Sequence, residues 1–119
     1  MSAARSDVLI YHNPRCSKSR SALELLRTRG IEPQVIEYLR TPLDERELAD
    51  LLSRLGLPAS ALLRRKEALF KRQYGDRELT EAECLKALAT HPELLERPIV
   101  VRGEHGVLAR PPERVLDLL

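Results

Sequence analysis

Cys16 is the residue of this sequence best placed to act as a nucleophile. It follows the loop HNPR at residues 12–15 and precedes a helix predicted over about residues 17–29. The unpaired N–H groups and the dipole at a helix start favour an anion there. Together with cationic neighbours they can lower a thiol pKa from about 8.5 to between about 3.5 and 7.5. We therefore expect Cys16 to ionise near neutral pH and to react as the thiolate.

The residues around Cys16 favour a reactive thiol over a core cysteine. A lone cysteine is often a small buried apolar residue, but an arginine, a serine and a lysine flank this one, which is untypical of a core segment. His12 and Ser19 are candidates to hydrogen-bond to the sulfur, and Arg15 and Lys18 add positive charge. The alternative for His12 alone is an ordinary loop histidine.

The other cysteine, Cys84, is expected to be structural or inert. It lies on a predicted amphipathic helix, and no CxxC pair occurs in the sequence. Two cysteines far apart in sequence predict free thiols in a reducing compartment rather than a disulfide or a zinc site. Cys84 therefore serves as an internal contrast to Cys16.

Arg97 and Arg110 are candidates to face an anion bound at Cys16. They lie at equal distances from the turn around Gly103-Glu104, so simple hairpin register places them opposite each other at the open end of the hairpin. Each precedes a proline, which fixes the backbone there. Arg64, within the helical segment, is a third candidate. The alternative for all three is an ordinary solvated arginine.

The elements that position these residues predict one α/β domain over residues 1–119. Strands at about 8–11 and 34–38 flank the helix after Cys16 and form a βαβ unit. A run of helices follows over about 42–95, with Thr41 predicted to cap its first helix and Thr80 to begin a capping box with Glu83. Two strands around a turn at 103–106 and a last helix at about 112–119 complete the order βαβ, helices, ββα.

Composition excludes several classes of protein. The chain has 119 residues and a formal net charge of +2, and only 3% of its residues are aromatic. A nearly neutral chain with few aromatic side chains is not typical of a nucleic-acid binder. No apolar segment is long enough for a membrane span, and the first residues show no export signal. We therefore expect a cytoplasmic protein with no membrane or nucleic-acid partner.

Two motifs resemble a known family. The segment YHNPRCSKSR at residues 11–20, together with RPIVV at 97–101 and Arg110-Pro111, resembles the glutaredoxin-coupled arsenate reductase family. The similarity covers nearly the whole chain, including residues 62–70. It implies a thioredoxin-like core with a helical insertion at about 42–95, a cis peptide before Pro98, and antiparallel pairing of the strand after Pro98 with the first strand.

The resemblance also implies roles for individual residues, which are carried over by matching positions. Arg15 and Lys18 fall where the family varies and receive no fixed role. The implied roles are nucleophile for Cys16, binding of the oxyanion and of its covalent intermediate for Arg64, Arg97 and Arg110, and support of the thiol for His12 and Ser19.

The implied reaction is the reduction of arsenate to arsenite. Thiolate and arsenate are both anions, and arginine donors offset their repulsion and match the oxygens of a tetrahedral anion. In this hypothesis the Cys16 sulfur attacks arsenic, glutathione attacks the adduct, and glutaredoxin removes the glutathione as a mixed disulfide, with release of arsenite. No metal and no bound organic cofactor is implied.

Two other functions stay open at this point. A glutathione-dependent thiol oxidoreductase on the same fold would keep Cys16 but would need no cluster of arginines. A regulator of the Spx type, which contacts RNA polymerase, has a similar fold and commonly carries a CxxC switch in this loop. Here Ser19 occupies the position of the second cysteine, so that internal disulfide cannot form.

Overall fold

The computed structural model describes residues 7–119 and divides the chain into two compact units. The first unit extends up to Thr41 and resumes at Arg97–Leu119, and the second comprises Pro42–Glu96. These boundaries lie close to those predicted for the helical insertion, 42–95. Residues 1–6, which the sequence predicts to carry no export signal, lie outside the described residues. Over residues 7–119, no helix has the length and apolar character needed to cross a membrane.

Four strands form one sheet in the first unit: β1 (Val8–His12), β2 (Gln34–Glu37), β3 (Ile99–Arg102) and β4 (His105–Leu108). The order across the sheet is β2-β1-β3-β4. β1 pairs in parallel with β2 and antiparallel with β3. The antiparallel pairing implied by the family resemblance is therefore confirmed. The loop that carries Cys16 follows β1, which is the second strand in the order across the sheet.

The C-terminal hairpin has the predicted register but a shorter turn than expected. Ile99 pairs with Leu108 and Arg102 with His105, which leaves only Gly103-Glu104 between the strands. The sequence analysis assigned residues 103–106 to the turn, whereas 105 and 106 belong to β4. Gly103 has φ of 61°, a left-handed conformation that suits a two-residue hairpin turn and that glycine adopts without a Cβ clash.

A helix and a 3-10 segment pack with the sheet in the first unit. Helix α1 (Ser17–Thr28) has the predicted extent, but Pro112–Leu118 is a 3-10 segment rather than the predicted α-helix. A 3-10 helix has three residues per turn, so Val115 and Leu118 lie on the same side, which faces the core. The buried core of this unit consists of Val8, Ile10, Ala22, Leu26, Val100, Ala109 and Val115.

The second unit is helical, as predicted. Two of its short segments, Ala59–Leu62 and Pro92–Leu94, are 3-10 turns, and an isolated bridge pairs Leu63 with Leu95. Its leucine-rich buried positions include Leu48, Leu51, Leu62, Leu88 and Leu94. The helices of this unit are α2 (Glu45–Leu55), α3 (Ala68–Tyr74) and α4 (Glu81–Thr90).

The caps of the second unit match the prediction at one helix and correct it at another. Thr80 begins a capping box with Glu83 at the start of α4, as the sequence predicts. Helix α2, however, is capped by Asp44 rather than by Thr41: Asp44 accepts from the backbone N–H of Glu47, whose side chain accepts from the N–H of Asp44. Asp44 prevails because this reciprocal pair satisfies both backbone donors at once.

Candidate active site

Cys16 is the N-cap residue of α1, in the position predicted for it. Its backbone is extended, with φ of −96° and ψ of 122°, and no side chain of the described residues caps the helix. The Cys16 N–H donates to the carbonyl of Asn13 at 3.0 Å, and the Asn13 side chain accepts from the N–H of Arg15 at 3.0 Å. The turn formed by residues 13–15 therefore positions the partly exposed thiol beside the free N–H groups at the start of α1.

The pKa of the Cys16 thiol lies below its usual value. Burial acts to raise this pKa, but three donors together outweigh burial: the backbone N–H of Ser19, the guanidinium of Arg97 and the backbone N–H of Lys18. The cation with the largest effect on the sulfur is thus Arg97, from a distant part of the sequence, rather than a side chain next to Cys16. The combination favours the thiolate over the thiol.

Arg97 approaches the sulfur from the loop before β3. The peptide bond between Arg97 and Pro98 is cis, as the family resemblance implies, and so is the bond between Arg110 and Pro111. The Arg97 Nε atom is buried and has no hydrogen-bond partner among the described residues. A buried donor without an acceptor is costly, so an anion that accepts from this nitrogen would be stabilised next to the thiol.

Arg110 contacts the same loop, because the hairpin register holds it opposite Arg97. Its Nη1 donates to the backbone carbonyl of Arg97 at 2.9 Å, and the residue is exposed to solvent. The structure therefore brings Cys16, Arg97 and Arg110 together in one unit.

His12 and Ser19 lie beneath the loop and bind each other. The His12 Nδ1 is 2.6 Å from the Ser19 hydroxyl, which also accepts from the backbone N–H of Asn13 at 3.0 Å. The expectation that both side chains hydrogen-bond to the Cys16 sulfur is wrong, since they are occupied with each other. Ser19 acts on the thiol through its backbone N–H instead, while its side chain fixes the loop.

The pKa of the His12 imidazole lies below its usual value. Burial lowers its pKa, and Arg27 and Arg20 act in the same direction, while Glu37 opposes them. His12 is 5% exposed, so protonation would place a charge in a largely buried environment. His12 therefore supports the loop through a hydrogen bond to Ser19, and its surroundings favour the neutral imidazole.

Arg64 lies in the second unit and is paired with carboxylates there. Its Nη1 is 3.0 Å from Glu67 Oε2, and its Nε is 3.3 Å from Glu96 Oε1. Its backbone N–H donates to the carbonyl of Leu94 at 2.8 Å, next to the bridge described above. The guanidinium predicted to bind an oxyanion is thus already bound by two carboxylates of its own unit.

Cys84 has the inert environment expected of it. Its side chain is fully buried on α4, and its Sγ lies 4.0 Å from the carbonyl oxygen of Leu79. Burial raises the pKa of this thiol, an effect that Arg65 opposes and Glu81 reinforces. Cys84 is therefore held as a buried thiol.

Several residues of the site were not identified from the sequence. The Arg20 side chain donates to the carbonyl of Pro14 at 2.8 Å and fixes the turn before Cys16. The carboxylate partners of Arg64 were likewise missed. A glutamate three residues after Arg64 was a local signal for the first of them, but nothing local pointed to Glu96.

Comparisons with known proteins agree with this architecture. The family model described as "ArsC family" matches residues 11–118. YfgD, an uncharacterized protein of Escherichia coli strain K12, is 48% identical over 114 residues, which cover 94% of this chain and 96% of YfgD. An arsenate reductase of Neisseria meningitidis serogroup A is 46% identical over 115 residues, with 95% and 98% of the two chains covered.

A solved structure gives the same result at the level of the fold. The arsenate reductase from Vibrio cholerae superposes with a TM-score of 0.88 at 49% identity, over 94% of this chain and 97% of that one. The predicted thioredoxin-like α/β fold is thereby confirmed. The family model covers residues 11–118, which include every residue of the site described above. The chain therefore belongs to the ArsC family.

Proposed function

We propose that this protein reduces arsenate to arsenite, with Cys16 as the nucleophile. The observation that carries the proposal is the Cys16 thiol, whose pKa is lowered, next to Arg97, whose Nε is a buried donor without an acceptor among the described residues. A thiolate beside an unsatisfied guanidinium donor suits attack on an oxyanion. The arsenate reductase names of relatives at 42–48% identity support the same substrate.

The arginine is needed because nucleophile and substrate repel each other. Two unit negative charges about 4 Å apart repel by about 4 kcal/mol at an effective dielectric constant near 20. Arg97 offsets this repulsion and donates to an arsenate oxygen, and Arg110 holds the backbone of Arg97 in place. The role of Arg64 as a further oxyanion ligand stays a prediction from the resemblance.

The proposed chemistry balances in three steps. The Cys16 thiolate attacks arsenic(V), a sulfur–arsenic bond forms, and one oxygen leaves as water after protonation. Glutathione thiolate then attacks the Cys16 sulfur; a disulfide forms, the sulfur–arsenic bond breaks, and its electron pair leaves with arsenic as arsenite. A glutaredoxin thiolate finally attacks the glutathione sulfur of the mixed disulfide, and Cys16 leaves as the thiolate.

An external resolving thiol is part of the proposal because Cys84 is poorly suited to that task. It is fully buried and its pKa is raised, so little of it is nucleophilic. Glutathione and glutaredoxin are thiols of the reducing cytoplasm, and the proposed reaction accordingly takes place there, with no bound metal or organic cofactor.

The test is arsenite production from arsenate in the presence of glutathione and glutaredoxin. Wild type and Cys84→Ala are expected to turn over, while Cys16→Ser loses at least about 1,000-fold because the nucleophile is gone. Equal turnover by wild type and Cys16→Ser would remove the nucleophile assignment. Reduction of glutathione mixed disulfides without reduction of arsenate would favour the thiol oxidoreductase instead.

The role of Arg64 is tested separately by Arg64→Lys, which keeps the charge but loses the planar pair of donors. If Arg64 exchanges a carboxylate for an arsenate oxygen, the KM for arsenate rises about 10-fold. An unchanged KM, with the unfolding free energy also unchanged, would remove Arg64 from the oxyanion site.

A further inference from the structure

Strand β2 forms an open edge of the sheet. The order β2-β1-β3-β4 leaves β2 and β4 as the two edge strands. β4 packs against the 3-10 segment Pro112–Leu118, whereas within the first unit β2 has substantial contacts only with β1. One side of β2 therefore carries backbone N–H and C=O groups with which no described strand pairs.

The apolar side chains of this edge are open to solvent. Val35 is 38% exposed, and Leu39, just beyond the strand, is 39% exposed. Among the described residues, Leu119 is the other large apolar side chain exposed to this degree. Proteins usually protect an edge strand with proline, lysine or a covering segment, and the four residues of β2 include neither proline nor lysine. The edge thus has the features of a surface that pairs with another strand.

We infer that β2 pairs with β2 of a second copy of this chain, in antiparallel orientation about a twofold axis. Such an axis is perpendicular to the sheet and keeps each side chain on its own face. A residue can therefore lie opposite only itself or a residue an even number of positions away. The two registers that keep three of the four residues of each strand paired are centred on Val35 and on Ile36.

Exposure and charge favour the register centred on Val35. It places Val35 opposite itself, which removes the most exposed apolar side chain of the strand from water, and it pairs Gln34 with Ile36. The register centred on Ile36 would instead place Val35 opposite the carboxylate of Glu37 on both sides of the axis. In the favoured register Glu37 lies opposite Pro33 of the second copy, so no two like charges face each other.

The edge is short, so the inferred dimer is weak. Stable interfaces bury about 1,200–2,000 Å², and a strand of four residues offers less than that. We therefore expect a dissociation constant of roughly 10–1,000 µM. The inference does not depend on the proposed function, because Val35 takes no part in the chemistry proposed for Cys16.

The first experiment measures molecular mass against concentration. Sedimentation equilibrium of the reduced wild-type chain from about 10 µM to about 1 mM is expected to show a mass that rises from the monomer value of 13.5 kDa toward twice that value. A monomer at every concentration would overturn the inference and leave the edge to a strand of a different protein. Masses well above that of a dimer would also overturn it, because twofold pairing closes after two copies.

Val35→Lys tests the residue at the axis. Two ammonium groups would face each other there, so the dissociation constant is expected to rise at least about 10-fold. The control is Leu119→Lys, which changes an exposed apolar side chain outside β2. Equal weakening by both variants would indicate a general effect of added charge and would overturn the inference.

Cross-linking tests the register. In the Cys16→Ser background the reactive thiol is gone and Cys84 is buried, so an introduced cysteine can be followed alone. Val35→Cys is expected to form a disulfide-linked dimer under copper phenanthroline oxidation, because residues directly opposite each other have Cβ atoms about 4.5–5.5 Å apart. The matched control is Gln34→Cys, an exposed neighbour that faces Ile36 of the second copy. It should cross-link at least about 10-fold more slowly, and an equal or faster rate would overturn the inference.

Discussion

Cys16 and Cys84 both belong to helical regions, yet their surroundings differ in every respect that governs thiol reactivity. Cys16 stands at the N-cap of α1, partly exposed, where backbone N–H groups and Arg97 lower its pKa. Cys84 lies on the buried face of α4, where burial raises its pKa. Two features make the difference. Cys16 precedes the free N–H groups at the start of α1, whereas the Cys84 N–H already donates to the Thr80 carbonyl and the Cys84 side chain is buried.

Two of the three arginines with predicted oxyanion roles show a similar contrast. Arg97 retains a buried Nε without an acceptor among the described residues, whereas Arg64 is bound by Glu67 and Glu96. The same residue type is thus available for an anion in one unit and neutralised in the other. Residue type and a matching position in the motif therefore do not decide whether a guanidinium is free to bind an anionic substrate.

Among the effects that test this contrast, the largest is expected in the alkylation of the two cysteines. In the native protein, iodoacetamide is expected to modify Cys16 at least about 100-fold faster than Cys84, because Cys84 reacts only after local opening. The rates are read from peptide masses over time. The Cys16 rate should also rise with pH through a midpoint below that of a free thiol. In concentrated urea the two rates should converge, and similar rates in the native state would contradict the comparison.

The next effect concerns the cation that acts on Cys16. Arg97→Lys is expected to lower kcat/KM for arsenate about 10–100-fold, since lysine keeps the charge but cannot reproduce the fork of donors. Arg29→Lys, a change at an exposed site outside the loop that carries Cys16, is the matched control. Full activity of Arg97→Lys in the arsenite assay would show that charge alone suffices.

A smaller effect is expected on stability. Cys84→Ala should reduce the free energy of unfolding by about 1–2 kcal/mol, because it removes a buried sulfur from a packed helix face. Cys16→Ala should change it much less, since that thiol is partly exposed and packs little. Urea denaturation of both variants measures the difference. A larger loss for Cys16→Ala would mean that its thiol serves packing rather than chemistry.

The smallest effect is the pH dependence of stability, which should have opposite signs for the two thiols. The folded pKa of Cys16 is lowered, so its ionisation contributes stability above the usual thiol pKa, and that contribution is lost as pH falls through the folded pKa. The folded pKa of Cys84 is raised, so stability falls as pH rises above the usual thiol pKa.

Urea unfolding of wild type, Cys16→Ser and Cys84→Ser at about pH 6 and about pH 9.5 measures these two contributions. Relative to wild type, Cys16→Ser should be less stable at the higher pH than at the lower one. Cys84→Ser should show the opposite trend. The same sign for both variants would refute the contrast between the two cysteines.

Much of the fold could be predicted because its signals are local or periodic. The capping box at Thr80 could be predicted because both of its hydrogen bonds lie within four residues, and the structure confirms it. The hairpin register could be predicted because a short turn fixes which residues pair, and the structure confirms it. Errors arose where two local signals competed, as at Thr41 and Asp44, or where an apolar pattern fitted two helix types, as at Pro112–Leu118.

Sequence patterns were enough to predict the βαβ and ββ elements, the run of helices between them, and the place of Cys16 at a helix start. These follow from hydrophobic periodicity and capping, which act between residues a few positions apart. Three features became visible only in the folded chain: Arg97 is the main cation at the thiol, His12 and Ser19 bind each other, and carboxylates bind Arg64. Such contacts depend on which segments folding brings within a few ångströms, and the competition among donors and acceptors is settled only there.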